Sequence, residues 1–481
     1  MESSIKNKLI FDIEINEENS KIFSDIEKEQ LAAENELKKI HEEYSENIKT
    51  LEKITSNCDK MDYILAICSG NICGMLDIFL VRKPGKSKFE EITDKWFEDR
   101  TKDFAKICGW NSDDNSIKSA IKYLEKKFKI PYDQRGAGDA ASWVFDLTPK
   151  NHHFKSLAHN PTLLGLYFSI LNQFTNTSNF VTNGELISLE KADEKFELRG
   201  KDIPSKFFCA FVNWFGHLIS DLSGSSSSMG RGMGIPSPFW SWTNDVIAIK
   251  RNLKIPAAEF DKIINELALN IYLKGYDVRF QTIQIVPVFI NELIVRFTYS
   301  VRRLLQYLIK KEKGDVNFSM IWKSCEPFSN ATVKRMLTVA HSTFCLLDIS
   351  EAMIQGFAKG AGSFNISECV MNLNIIGIGR FSVSLYDEFN RKIDKDKIQK
   401  DIRYLSAKEV IINDYIEGLK ELANIYNDSN LTNFVNDFKN SDLYINAFQK
   451  SVLLAEKRNV DNNKILKNKT SIDNYFTGGN N

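Results

Sequence analysis

QIVPVFINELIVRFTYSVRRLLQYLIK, residues 284–310, sets the fold class. Apolar residues recur at Val286, Phe289, Ile290, Leu293, Phe297, Val301 and Leu304, the three-or-four spacing that lines one face of an α-helix. Upstream and downstream, from Ala257 to Lys313, only Gly275 and Pro287 interrupt the pattern, so long helices kinked near Pro287 are expected. Asp277, Arg279, Glu292, Arg296, Arg302 and Arg303 ride on them as solvated or paired charges. Glu292, inside an otherwise apolar run, is the candidate for an inward-facing acid.

The same periodicity governs the flanks. From Glu17 to about Asn57 the chain is charged and free of Gly and Pro. It carries apolar residues at Leu37, Ile40, Tyr44, Ile48, Leu51 and Ile54, which predicts a long amphipathic helix. Its stripe fits either a coiled coil with another copy of the chain or the helix's own domain. Next comes the most apolar window, YILAICSGNICGMLDIFLV (63–81), long enough to span a bilayer. Asn71 and Asp77 are costly in lipid, so a buried core helix is expected there, with Gly70 and Gly74 permitting close helix approach. Residues 84–130 read as one or two surface helices, and PYDQRGAGDAASWVFD (131–146) as a loop entering a helix.

A helix holding His341 and Asp348 is followed by LNIIGIGRFSVSLYDE (373–388), β-branched and alternating toward its end, which predicts a strand or hairpin. The expected fold is therefore mainly α: a multi-helix bundle with a long N-terminal amphipathic helix and a small β element near 370–387. Its expected parts are 1–57, an apolar helical core over 58–315, a helix with the β element over 316–392, charged helices over 393–460, and a disordered tail over 461–481.

Lys plus Arg and Asp plus Glu both number 63, so no global charge draws the chain to nucleic acid or acidic membranes. The basic stretches Lys122–Lys129 and Arg302–Arg303 read as solvated helix faces, and a nucleic-acid partner is not expected. Eight scattered cysteines without a CxxC pair fit buried thiols in a reducing compartment. The polar, acidic N-terminus lacks a secretory pattern, so a cytoplasmic location is expected, with membrane association left open by the apolar helices.

Four of the six histidines, His152, His153, His159 and His217, fall between residues 152 and 217. His153 and His159 flank the start of an apolar helix, where Asn160-Pro161 reads as a cap followed by proline, so two imidazoles can converge on one ion. His217 and Asp221 stand four apart and project from one helix face, a spacing that suits a chelating pair or a structural hydrogen bond equally. SGSSSSMGRGMGIPSPFW (223–240) then supplies a donor-rich loop in which Ser225, Ser226, Gly230 and Arg231 can wrap an anion.

HHFKSLAHNP (152–161), then GHLISDLSG (216–224) with GIPSPF (234–239), resembles the membrane-bound metal-dependent hydrolase family, whose members look like helical, zinc-dependent phospholipases C. In that family a pair H-R-x-x-T-H-S opens one apolar helix, and a later helix carries H-L-x-x-D before a Gly and a Pro-aromatic segment. The resemblance covers about residues 150–240. The pair His153/His159 is one residue wider than the family's, and Ala158 stands where the family has Thr. The resemblance implies His153 or His152, His159, His217 and Asp221 as metal positions, with Asp77 or Asp139 as further ligands.

A divalent ion such as zinc or manganese would there serve phosphoester hydrolysis. In that scheme Asp221 or Asp139 handles the proton, and the Ser/Gly loop with Arg231 holds the anionic group of a small phosphorylated substrate or lipid. The rival expectation is a helical scaffold or membrane-active assembly protein, joined through its N-terminal helix, in which the histidines are structural or respond to pH.

Overall fold

The computed structural model describes residues 18–128, 147–148, 150–190, 198–224, 233–310, 318–360, 362–426 and 443–477. Within them the chain is mainly α with one two-stranded sheet. It divides into two compact units, one formed by Met1–Lys53 with Ile393–Asn481 and the other by Ile54–Lys392.

The first unit is built on α1 (Glu18–Ile54). Its buried positions Ile26, Ala33 and Ile40 stand seven apart, the spacing of a coiled-coil seam. Ion pairs Glu36–Lys408 at 2.6 Å and His41–Glu409 at 2.9 Å tie it to the distal part of helix 375–426, where Leu405 and Ile416 are buried. The stripe legible in the sequence thus has a partner helix within its own chain.

The second unit opens with α2 (Lys60–Leu76). Asp59 accepts from the Met61 and Asp62 amides, and Asp62 returns a bond to the Asp59 amide, a reciprocal cap that fixes the helix start. A π-helical turn, Asp77–Val81, ends it. The expectation of a buried core helix needs correction. α2 buries its small and polar residues, Asp62, Ser69, Gly70, Gly74 and Asp77, and exposes Met61, Ile64, Ile67, Ile72, Met75 and Phe79.

Two helices follow, α3 (Glu90–Ile107) and α4 (Ile117–Lys127); the loop read over 131–146 lies outside the described residues. A single turn at His152–Lys155 and a 3-10 turn at Leu157–His159 lead to α5 (Leu163–Thr175). Its cap is Thr162, whose Oγ1 accepts from the Gly165 amide at 3.1 Å, rather than Asn160. Strands β1 (Thr177–Thr182) and β2 (Glu185–Glu190) pair antiparallel around Asn183 and Gly184, both at positive φ, as a mirror-image two-residue turn demands. After them come α6 (Ile203–Asp221), α7 (Pro238–Asn252), α8 (Glu259–Leu273) and α9 (Val278–Lys310), which stays helical across Pro287. The unit closes with α10 (Ala331–Ala358) and the first part of α11 (Ile375–Tyr426).

The β element is therefore at 177–190, and residues 375–387, read as strand or hairpin, are helical. Ile376, Ile378 and Phe381 pack on the core around Cys73, Val288 and Phe344, and this tertiary burial overrides their β propensity. The tail, read as disordered, carries a helix at Lys469–Thr477. Its first turn is fixed by Asn468 and Ser471, which exchange side-chain and backbone hydrogen bonds.

α2, α9 and α10 form the unit's central bundle. Ser69 Oγ donates to Asn291 Oδ1 at 2.6 Å, and Asp62 meets Arg302 and Arg303, so α2 and α9 run antiparallel. Gly70 lies against Ala340 and Gly74 against Leu347, so α2 and α10 run parallel.

Candidate metal centre

Local chain geometry brings the histidines together. The amides of His152 and Lys155 donate to the carbonyls of Thr148 and Asn151, winding a single turn that presents His152 and His153 side by side, ring centres 3.8 Å apart. The following 3-10 turn swings His159 back until its ring centre is 5.1 Å from that of His153. On α6, the four-residue spacing stacks His217 over Asp221, with Nε2 to Oδ2 at 2.9 Å. Gly216 lets α6 sit this close, because a Cβ there would run into the Phe128 ring.

The two halves meet in the interior. His217 Nε2 and His159 Nε2 are 2.8 Å apart, and His153 Nδ1 lies 3.1 Å from Asp221 Oδ2. All five side chains are buried. Two sets of three have ligand atoms within 4.8 Å of one another: His152, His153 and His159, and His159, His217 and Asp221.

The donor set decides what can lie between them. His217 Nδ1 is 3.1 Å from the Phe128 carbonyl. A carbonyl only accepts, so Nδ1 carries the proton and, in neutral imidazole, Nε2 turns a lone pair toward Asp221 and His159. Asp221 Oδ2 accepts no hydrogen bond among the described residues, although two imidazole nitrogens stand within 3.1 Å of it. His153 likewise finds no hydrogen-bond partner for Nε2 there. Buried imidazole nitrogens and a carboxylate grouped this closely could hold a metal ion. Tetrahedral ligands at about 2.1 Å from an ion stand roughly 3.4 Å apart, so seating one would open these contacts of 2.8, 2.9 and 3.1 Å by about 0.3 to 0.6 Å. Burial raises the Asp221 carboxyl, but the neighbouring His217 and His153 imidazoles outweigh it and hold the group well below the usual carboxylate range.

Outer contacts fix this inner set. Asn244 Nδ2 donates to the Phe154 carbonyl at 2.6 Å, and Asn265 Nδ2 donates to Asn244 Oδ1 at 2.7 Å. Trp214 Nε1 donates to the Asn160 carbonyl at 3.0 Å, and Asn160 Nδ2 to Asp245 Oδ1 at 3.2 Å. The residues after His153 and after His159 are thereby pinned to α6, α7 and α8. Burial raises the Asp245 carboxyl despite its contacts with Thr162 and Asn160. Sequence reasoning missed these residues. Their only signal is a polar Asn244-Asp245 pair within the aromatic run FWSWTND.

Asp77, read as a possible ligand, does not join the cluster. It accepts from Asn374 Nδ2 at 2.6 Å and sits beside Asp348 in the bundle. Asp139 and the loop residues Ser225, Ser226, Gly230 and Arg231 lie outside the described residues. The chain on either side of that loop is anchored: Ser223 Oγ bonds Thr101 Oγ1 at 3.0 Å, and the Gly234 amide donates to Asp277 Oδ2 at 2.8 Å. Tyr272, whose hydroxyl donates to the Gly234 carbonyl at 2.9 Å, stacks on Phe154.

These features define a mainly α protein with a buried His/Asp cluster whose ligand atoms stand close enough that they could hold a metal ion. No family model matches the chain, and no curated protein or solved structure matches it either.

Proposed function

We propose that the protein is a metal-dependent phosphoester hydrolase, with His153, His159, His217 and Asp221 as ligands and His152 beside them. One observation carries the reading: buried Asp221 Oδ2 faces imidazole nitrogens from two separate chain segments, His153 Nδ1 at 3.1 Å and His217 Nε2 at 2.9 Å. A bound zinc or manganese would supply a Lewis acid for a phosphoryl oxygen and lower the pKa of water. The chain's own part is to orient its imidazoles. The Phe128 carbonyl sets the His217 tautomer, and Asn244 and Trp214 hold the turns that carry His153 and His159. Asp221 or Asp139 takes the proton, and Arg231 with Ser225, Ser226 and Gly230 binds the anionic group of the substrate. We place the protein inside the cell and at a membrane; three helices long and apolar enough to cross a bilayer support the second half of that location.

Elemental analysis of the purified full-length chain, beside His217→Ala and Asp221→Ala variants, tests the reading. Near-stoichiometric metal is expected in the parent, falling in both variants together with phosphoester hydrolysis, the latter by about a hundredfold or more. Absence of metal from all three proteins would sink the hydrolase and leave a helical assembly protein as the better account.

A further inference from the structure

The central bundle is apolar on its outside as well as in its core, where Ala66, Val295, Val333, Leu337 and Phe344 are buried. On α2 the outward face is Ile64, Ile67, Ile72, Met75 and Phe79, while Asp62, Ser69 and Asp77 point inward. α9 repeats this, with Phe289, Leu293 and Phe297 outside and Gln284 and Asn291 inside. So does α10, which exposes Leu346, Met353, Ile354 and Phe357 and buries Thr332, His341 and Asp348. A surface helix in water carries its apolar stripe toward the core. Three neighbouring helices that are apolar on both faces call for an apolar surrounding on the outer one.

Apart from His341 Nε2, 3.8 Å from Glu292, the inward polar groups named above pair with one another or with backbone, as they must where no water reaches them. Ser69 donates to Asn291, Asn374 bridges Asp77 and Asp348, and Gln284 Nε2 donates to the Leu373 carbonyl at 2.8 Å. Glu292 is held by Arg380 and Arg296. The contact faces are small: a Cβ on Gly74 would lie 2.9 Å from Leu347 Cδ1, and one on Gly70 2.8 Å from Thr343 Cβ. Close approach of small residues packs helices where burial from water cannot drive them together.

Length and charge fix the occupant. The apolar helix Lys60–Val81 has 22 residues, about 33 Å at the α-helical rise, against a bilayer core of about 30 Å. The matching windows on α9 and α10 lie within helices of 32 and 28 residues. Because the helices are in register, their charged ends fall at two levels. Asp59, Asp62, Arg302, Arg303 and Lys334 gather at one, and Arg82, Lys83, Lys86 and Lys359 at the other.

We propose that this bundle crosses a lipid bilayer, with the Asp62–Arg302 end on one side and the Arg82–Lys359 end on the other. Residues 82–277 leave and re-enter the bundle at the second end, where Val81, Phe154, Tyr276 and Phe280 share one core. The His/Asp cluster therefore belongs to the Arg82–Lys359 side. The crossing rests on the bundle helices alone, whether or not the cluster binds metal.

Two measurements on the full-length protein test it. Membranes from expressing cells are washed with alkaline carbonate; the protein is expected to stay in the pellet and to leave it only with detergent. Recovery in the carbonate supernatant, as a single chain or as a dimer covering these faces, overturns the proposal. Lys334→Cys and Lys359→Cys, both at exposed positions, are then treated in sealed vesicles with an impermeant maleimide and located by peptide mass spectrometry, which separates them from the native cysteines. One should label in intact vesicles and the other at least tenfold more after permeabilisation. Equal behaviour of the two positions, labelled or protected, overturns the crossing.

Discussion

His217 is fixed by the Phe128 carbonyl at Nδ1, and its Nε2 lies 2.8 Å from His159 Nε2 and 2.9 Å from Asp221 Oδ2. The four-residue spacing of His217 and Asp221 is legible in the sequence because a helix fixes it. Their meeting with His153 and His159 is not, since it depends on two short turns and on Gly216 admitting Phe128. Asp77, an acid in an apolar run, is claimed instead by Asn374, 297 residues away. The outer residue most exposed to test is Asn244. Asn244→Ala leaves the Phe154 carbonyl and the Asn265 amide without their buried partner, at a cost of about 1–3 kcal/mol. Calorimetry should show a lower Tm, and elemental analysis a partial loss of metal, smaller than in His217→Ala. Full metal occupancy would show that the His153 turn does not depend on this contact.

Among the elements, long helices were readable and their orientation was not. Periodicity places a helix over 63–81 whichever face it buries, because the apolar residues surround it almost completely. The packing that chooses the inner face is carried by Gly70, Gly74 and Ser69, and small side chains give weak periodic signals. Gly70 makes the sharpest test, since a Cβ there would run into the Ala340 carbonyl and Thr343. Gly70→Ala should lower stability by about 2 kcal/mol through overpacking. Gly379→Ala, on open space in α11, should be neutral or stabilise by up to about 1 kcal/mol through helix propensity. Denaturant titration of both variants decides, and equal effects would rule out close packing at Gly70. The hairpin has its signal in the sequence, Asn183-Gly184 between alternating residues, whereas the β-branched run after Asn374 belongs to a segment that packing makes helical.

For the whole molecule, the division into two units gives a separate prediction. Ile40 is 2% exposed in the seam of α1. Ile40→Asp buries an unpaired charge there, at about 3 kcal/mol or more. It should melt the α1 unit at lower temperature by circular dichroism while the metal content of the second unit stays unchanged; loss of metal in this variant would mean that the units do not act separately. By itself the sequence determined the mainly helical class, the long amphipathic α1 and the His217–Asp221 pair, because each rests on a repeat along one helix. Only the tertiary structure decided which residues of α2, α9 and α10 face inward, which histidines converge and where the hairpin lies. Those outcomes depend on contacts between segments far apart in the chain, and no periodicity within one segment encodes them.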